Sequence, residues 1–249
     1  MDSKTAICAQ NITKHFKTQK NQTYEKGIFT ALDDITLSIA KGECVVIGGA
    51  NGSGKTVLML ILAGLLPPSK GKVWGSKDVG LVFQDADTQI LGETPLEDVC
   101  VGLENKKTKK NEREAKAKEL LKIVGLEEKN DFPARSLSGG EKRRLATAGI
   151  LAMNKDIIIF DEPFANLDFN GVRQTIELLQ NLKNEKRTIL ILTHELEKCL
   201  ALATRFIVLY KGRMVFDGNP QEGLNEPLES WGIRNPIQSY KNLQDLIWK

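Results

Sequence analysis

The chain has 249 residues, 41% of them hydrophobic and 27% charged, which is the balance of an ordinary globular protein large enough for an α/β domain with a subdomain. A net charge of +3 excludes a polycation shaped for nucleic acid, and the four scattered cysteines show no C-x-x-C pair and no Cys/His metal-ligand spacing. They read as free thiols in a reducing cytosol. The longest apolar run, Val57 to Leu66, is far short of the ~20 residues that cross a bilayer, and no leader opens the chain, so a soluble protein is expected.

In chain order, Ala6 to Phe16 and Thr30 to Ile39 are predicted strands, the second with Leu32, Ile35, Leu37 and Ile39 mostly on one face. The polar stretch Lys17 to Gly27 is the loop between them. Lys41-Gly42-Glu43 turns the chain into an apolar strand, Cys44-Val45-Val46-Ile47, which leads into Gly49-Ala50-Asn51-Gly52-Ser53-Gly54-Lys55-Thr56. This is G-x-x-x-x-G-K-[ST]. Its glycines let backbone N–H groups turn inward, the next helix presents its positive end, the lysine reaches phosphate oxygens and the hydroxyl ligates Mg2+. The competing reading, a glycine-rich turn and nothing more, is weakened by the flanks, since Val57-Leu58-Met59-Leu60 supplies the required helix. Pro67-Pro68-Ser69-Lys70-Gly71 ends that helix, and Val79-Gly80-Leu81-Val82-Phe83 is a short buried strand that delivers Gln84 at its carboxyl end.

Leu91 to Pro133 differs in character. A lysine-rich patch, Lys106 to Lys110, precedes an amphipathic helix in which Ala117, Leu120, Leu121 and Val124 fall at i, i+3, i+4, i+7, and Gly125 is its expected cap. The patch reads as a solvated face, with anionic lipid contact as the alternative. From Leu137 strands and helices alternate: helix to Met153, strand Asp156 to Phe160, helix Val172 to Leu182, strand Thr188 to Leu192, helix Glu195 to Ala203, strand Arg205 to Tyr210. That alternation implies a mostly parallel sheet covered on both faces. Lys211-Gly212 turns into Arg213 to Phe216, a hairpin at the sheet edge. The tail from Pro220, with Trp231 and Trp248, carries no prediction beyond packing or partner contact.

Two further stretches carry chemistry. Ile157 to Phe160 ends in Asp161-Glu162, where Asp161 is placed to hold Mg2+ opposite Thr56 and Glu162 to polarise an attacking water. Leu137-Ser138-Gly139-Gly140-Glu141 has capping-box spacing, which explains Ser138 and Glu141 and leaves the glycines over. Two glycines in a first helical turn cost roughly 1 kcal/mol each relative to alanine and suit close approach to a ligand, so this is a second anion site. Lys142, Arg143 and Arg144 follow, either facing a phosphate or a partner's acidic surface, or simply solvated.

On these residues the chain resembles the nucleotide-binding subunits of ATP-binding cassette (ABC) transporters over nearly its whole length. The phosphate loop, Gln84, Leu137 to Glu141, Ile157 to Glu162, Asn166-Leu167-Asp168 and His194 occur in that family's order. The resemblance implies an α/β fold: a P-loop NTPase core with a mostly parallel sheet, an antiparallel β subdomain and an inserted α-helical subdomain. It divides the chain at 1–90, 91–136, 137–219 and a tail, 220–249. It further implies that two subunits, identical or different, meet head to tail, each ATP lying between the phosphate loop of one and the Leu-Ser-Gly-Gly stretch of the other. Gly49, Asn51, Gly52, Ser53, Gly54, Lys55 and Thr56 would hold ATP from one side and Ser138, Gly139 and Gly140 from the other, with Asp168 at the seam. Thr56, Asp161 and Gln84 would surround Mg2+, Glu162 would be the catalytic base, and His194 would contact the γ-phosphate. Phe16 stands where the family stacks an aromatic on adenine, with core packing as its rival role.

Within the family, Val82 to Gln89, Thr94 to Val99, Gly102 to Asn105, Lys142-Arg143-Arg144 and Asp217 to Pro220 resemble the ATPases of energy-coupling factor (ECF) importers of vitamins or cobalt and nickel ions. Ala86 and Phe169 stand where that group usually has proline. The implied protein is a peripheral ATPase on the cytoplasmic face of the membrane, partnered by integral membrane subunits and not by nucleic acid. Another ABC transporter type is the main alternative. A self-contained P-loop kinase or GTPase has no use for a second anion cradle, and the coiled-coil insertions or paired cassettes of nucleic-acid ATPases are not visible.

Overall fold

The computed structural model describes residues 4–19, 27–75 and 78–237. Along the chain run β1 (Thr5–Lys17), β2 (Ile28–Ala40), β3 (Cys44–Gly48), α1 (Lys55–Leu62), β4 (Lys70–Trp74), β5 (Val79–Val82), α2 (Pro95–Asn105), α3 (Lys110–Ile123), α4 (Gly139–Ala152), β6 (Ile157–Asp161) and α5 (Phe169–Asn184). There follow β7 (Thr188–Thr193), α6 (Leu196–Cys199), β8 (Arg205–Tyr210), β9 (Arg213–Gly218) and α7 (Pro220–Gly223). Six strands form one sheet in the order β5-β6-β7-β3-β8-β9, parallel from β5 to β8 with β9 antiparallel at the edge. A second, antiparallel sheet has the order β2-β1-β4.

The central strands are continuous apolar runs because both faces of the sheet are covered. Side chains alternate between two cores. Val46, Ile158, Phe160, Ile189, Ile191, Phe206 and Val208 join the core that also holds buried residues of α2 to α5. Val45, Ile47, Ile159, Leu190, Leu192, Ile207 and Leu209 join the other, shared with α1 and with Ile7, Ile12, Leu32, Ile35 and Ile39 of the antiparallel sheet. The two sheets are tied directly, since Asp33 N–H donates to Gly212 O at 2.8 Å and Arg213 pairs with Asp33 at 2.6 Å.

The predicted strands, the α/β alternation and the edge hairpin are present, and three details differ. Lys70–Trp74, of which only Lys70 and Gly71 were expected as the end of a helix-ending turn, is an edge strand paired with β1. The segment from Leu91 contains two helices: α2 starts at Pro95 behind Thr94, whose side chain accepts from Glu97 N–H. The helix expected over Glu195 to Ala203 is a single α turn, α6, followed by a 3-10 turn, Leu200–Leu202. The polar loop prediction falls mostly on residues 20–26, and Trp248 also lies outside the described residues.

Parallel strands with covering helices send their loops to the carboxyl edge, which is where ligands bind in such sheets. The loops after β3, β5, β6 and β7 all emerge there, carrying the phosphate loop, Gln84, Glu162 and His194. Among the described residues no helix is long and apolar enough to cross a membrane.

Candidate functional site

The phosphate loop is shaped by contacts that admit only glycine at two points. A Cβ on Gly49 would lie 2.4 Å from Ser53 Oγ and 2.7 Å from Leu209 O. Gly54 has φ +105°, and a Cβ there would lie 2.8 Å from Ala31 O. Ser53 N–H donates to Ala50 O at 3.1 Å, and α1 begins behind Gly54 with no acidic residue in its first turn, so its positive end is uncompensated. Lys55 is 6% exposed; its Nζ donates to Gly49 O at 2.7 Å and lies 3.4 Å from Glu162 Oε1.

Opposite it, β6 delivers two adjacent carboxylates in different directions. Asp161 Oδ2 accepts from Thr56 Oγ1 at 3.3 Å, while Asp161 Oδ1 is buried without a hydrogen-bond partner. Burial, and then the neighbouring Glu162 charge, push the Asp161 carboxyl above its ordinary value, a position that a cation beside Oδ1 reverses. A carboxylate oxygen lacking a partner beside a threonine hydroxyl is a donor set that suits a hard divalent cation.

Glu162 turns the other way with φ +47°, an uncommon conformation for a glutamate. Its Oε2 accepts from Thr193 Oγ1 at 2.9 Å, and its Oε1 lies 3.1 Å from His194 Nδ1. Thr193, fully buried, was not among the sequence candidates; it is the last residue of β7 and fixes the carboxylate that His194 also touches.

Asn51, Gly52, Ser53, Gly54, Lys55, Thr56, Gln84, Asp161 and Glu162 line one cleft of about 220 Å³, with Gly49 beneath the loop and His194 bonded to Glu162. Phe29 also lines this cleft and Phe16 does not: the two face each other across β1 and β2, with the Lys14 ammonium 5.2 Å from the Phe16 ring. Ser138, Gly139 and Gly140 lie outside the cleft. Ser138 caps α4 in a full capping box, accepting from Glu141 N–H at 3.3 Å and donating its own N–H to Glu141 Oε2 at 2.9 Å. A Cβ on Gly139 would meet nothing within 4 Å, while one on Gly140 would lie 2.8 Å from Leu167 Cδ2, and Gly139 lines a neighbouring cleft with Gln84, Arg143, Asp161 and Asn166. Asp168 caps α5, accepting from Gly171 N–H at 2.7 Å.

Arg143 and Arg144 are not solvated. They are 9% and 8% exposed, and Arg143 spans two loops, donating to Gln84 O at 3.0 Å and Ala165 O at 2.6 Å. The Lys106 to Lys110 patch, in contrast, is largely exposed where α2 passes into α3.

The profile of a family described as "ABC transporter" matches residues 32–165, more than half of the chain. The chain belongs to the ABC transporter ATPase family. Among relatives of this ABC ATPase, the energy-coupling factor transporter ATP-binding protein EcfA of Methanocaldococcus jannaschii is 40% identical over 77% of the chain and 74% of its own length. The solved structure of CbiO1 from Clostridium perfringens, described as part of the ABC transporter complex CbiONQ, is similar with a TM-score of 0.77 and 32% identity over 90% of this chain and 92% of that one. The cassette MJ0796, solved as a dimer in a post-hydrolysis state with ADP and Pi, has a TM-score of 0.76 and 29% identity over 86% of this chain and 98% of its own. The fold inferred from the residues is the fold these structures share.

Proposed function

We propose that this ABC ATPase is the ATP-hydrolysing subunit of an ECF-type importer of a vitamin or metal ion, docked on the cytoplasmic face of the membrane against integral membrane subunits. The observation that carries the reading is the cleft itself, where the phosphate loop, the Thr56–Asp161 pair and Glu162 converge while none of the second anion cradle, Ser138 to Gly140, lines it. One chain with two cradles that do not share a cleft is served by a second ATPase subunit, identical or different, whose cradle faces this chain's phosphate loop. The likeness to EcfA and CbiO1 supports the importer class.

In this reading Gly49 to Thr56 wrap the β- and γ-phosphates, with Lys55 as the cation among them. Thr56 and Asp161, with Gln84 at their edge, are the residues that would hold Mg2+, which when bound would neutralise charge on the phosphates. Glu162 takes a proton from the attacking water, and Thr193 and His194 hold its carboxylate toward the cleft. Phosphate loss then weakens the contact between subunits, and the motion passes through the Gln84 loop to the membrane partner. The test is Glu162→Gln, which should reduce ATP turnover by about 10²–10⁴-fold with ATP binding retained. Turnover within tenfold of wild type removes Glu162 as the base.

A further inference from the structure

Arg143 carries a job that ATP binding and hydrolysis, as described so far, leave unused. It is a buried cation with no ion-paired carboxylate among the described residues; burial holds its pKa below the ordinary value, and the Asp85 charge offsets this only in part. Retaining a desolvated guanidinium without a salt bridge is costly unless its donors are used. They are used on backbone: Nε on the carbonyl of Gln84, 59 residues away, and Nη1 on the carbonyl of Ala165, 22 residues away.

Both carbonyls sit in segments that need holding. Gln84 follows edge strand β5, where the Gln89 side chain imitates a neighbouring strand by accepting from Phe83 N–H and donating to Leu81 O, each at 2.8 Å. Ala165 closes a tight turn on Glu162 O at 3.2 Å, between two residues with positive φ, Glu162 at 47° and Asn166 at 59°. The start of α4 rides on that turn, since a Cβ on Gly140 would lie 2.8 Å from Leu167 Cδ2. Lys142, beside Arg143, pairs with Asp87 of the Gln84 loop.

We infer that Arg143 is a positioning residue: one planar group locks the Gln84 loop and the Glu162 turn to the helix start at Ser138, so that all three are displaced together when nucleotide enters or leaves. This rests on the ATPase reading for its consequence and on the geometry alone for the tie. A lysine reaches one carbonyl at most and lacks the fork, so Arg143→Lys cuts the tie while keeping the charge.

The experiment compares wild type, Arg143→Lys and Arg143→Ala as full chains. Without nucleotide, amide hydrogen exchange within 83–89 and 163–168 should quicken by about tenfold or more in both variants, while exchange in β3, β6 and β7 stays at the wild-type rate. With MgATP, kcat should fall by about tenfold and KM for ATP should stay within about twofold. Wild-type exchange in both loops together with wild-type kcat overturns the inference, and so does faster exchange spread evenly over the central strands, which marks a merely structural role. A wild-type protein that neither binds nor turns over ATP refutes the ATPase reading, and the nucleotide-free exchange result still decides the tie.

Discussion

Lys55→Ala isolates the phosphate loop from the rest of the fold. The ammonium is held in advance: Gly49 O lies 2.7 Å from Nζ and Glu162 Oε1 3.4 Å, so little side-chain freedom is left to lose when a phosphate arrives. A charge-assisted contact of this kind is worth roughly 1.5–3 kcal/mol, and 1.4 kcal/mol is tenfold in affinity, so ATP should bind about 10–150-fold more weakly. Adenosine, which has no phosphate for Lys55 to meet, should bind the variant and the wild type equally. Titration calorimetry with ATP and adenosine, beside a urea unfolding curve to verify the fold, reads both quantities. ATP affinity within twofold of wild type, or an equal loss for adenosine, refutes the assignment of this loop as the phosphate cradle.

Other consequences are equally direct. Asp161→Asn keeps the contact with Thr56 and removes the anionic oxygen, so ATP affinity without Mg2+ should be unchanged and its enhancement by Mg2+ lost; an undiminished enhancement in a Mg2+ titration contradicts the metal role. Gly54→Ala forces alanine to φ +105° against a fixed backbone carbonyl and should cost about 2 kcal/mol or more of stability, read as a lower urea midpoint at constant slope. Burial opposes ionisation of Glu141, but Lys129 Nζ at 2.6 Å and Ser138 N–H outweigh it and hold its carboxyl below the ordinary 4.5. That stabilisation is present above about pH 4.5 and is lost as pH falls through the lowered pKa, so Glu141→Gln should be less stable than wild type at neutral pH, with the gap closing in acid. Unfolding midpoints measured from pH 3 to 7 check it, and a gap independent of pH contradicts it.

What could be read from residues alone follows a physical division. Fully buried strands such as Ile157–Asp161 announce themselves because a covered sheet demands unbroken apolar runs. The strand Lys70–Trp74 does not, because it is an exposed edge whose register comes from β1 and not from its own pattern. The start of α2 is marked by Thr94-Pro95, a cap followed by a first-turn proline, a signal that the sequence reading did not use. The cleft-lining residues after β3 and β6 stood out in the sequence because they fall in a pattern of fixed residue type and spacing. Phe29 and Thr193 did not, since one needs the β1–β2 register and the other the β6–β7 pairing to bring it to the site. Arg143 shows the same limit. A run of three basic residues at a helix start looks solvated until the fold brings two distant carbonyls to one of them.

The central claim is that ATP is held between two ATPase subunits, with this chain's phosphate loop on one side. Native mass spectrometry of the Glu162→Gln protein with MgATP, alone and mixed with a candidate partner ATPase, tests it most directly. The account predicts a two-subunit species carrying two ATP molecules that disappears when Ser138→Arg blocks the helix start. An ATP-loaded single subunit under every mixture, or a dimer indifferent to Ser138→Arg, contradicts it.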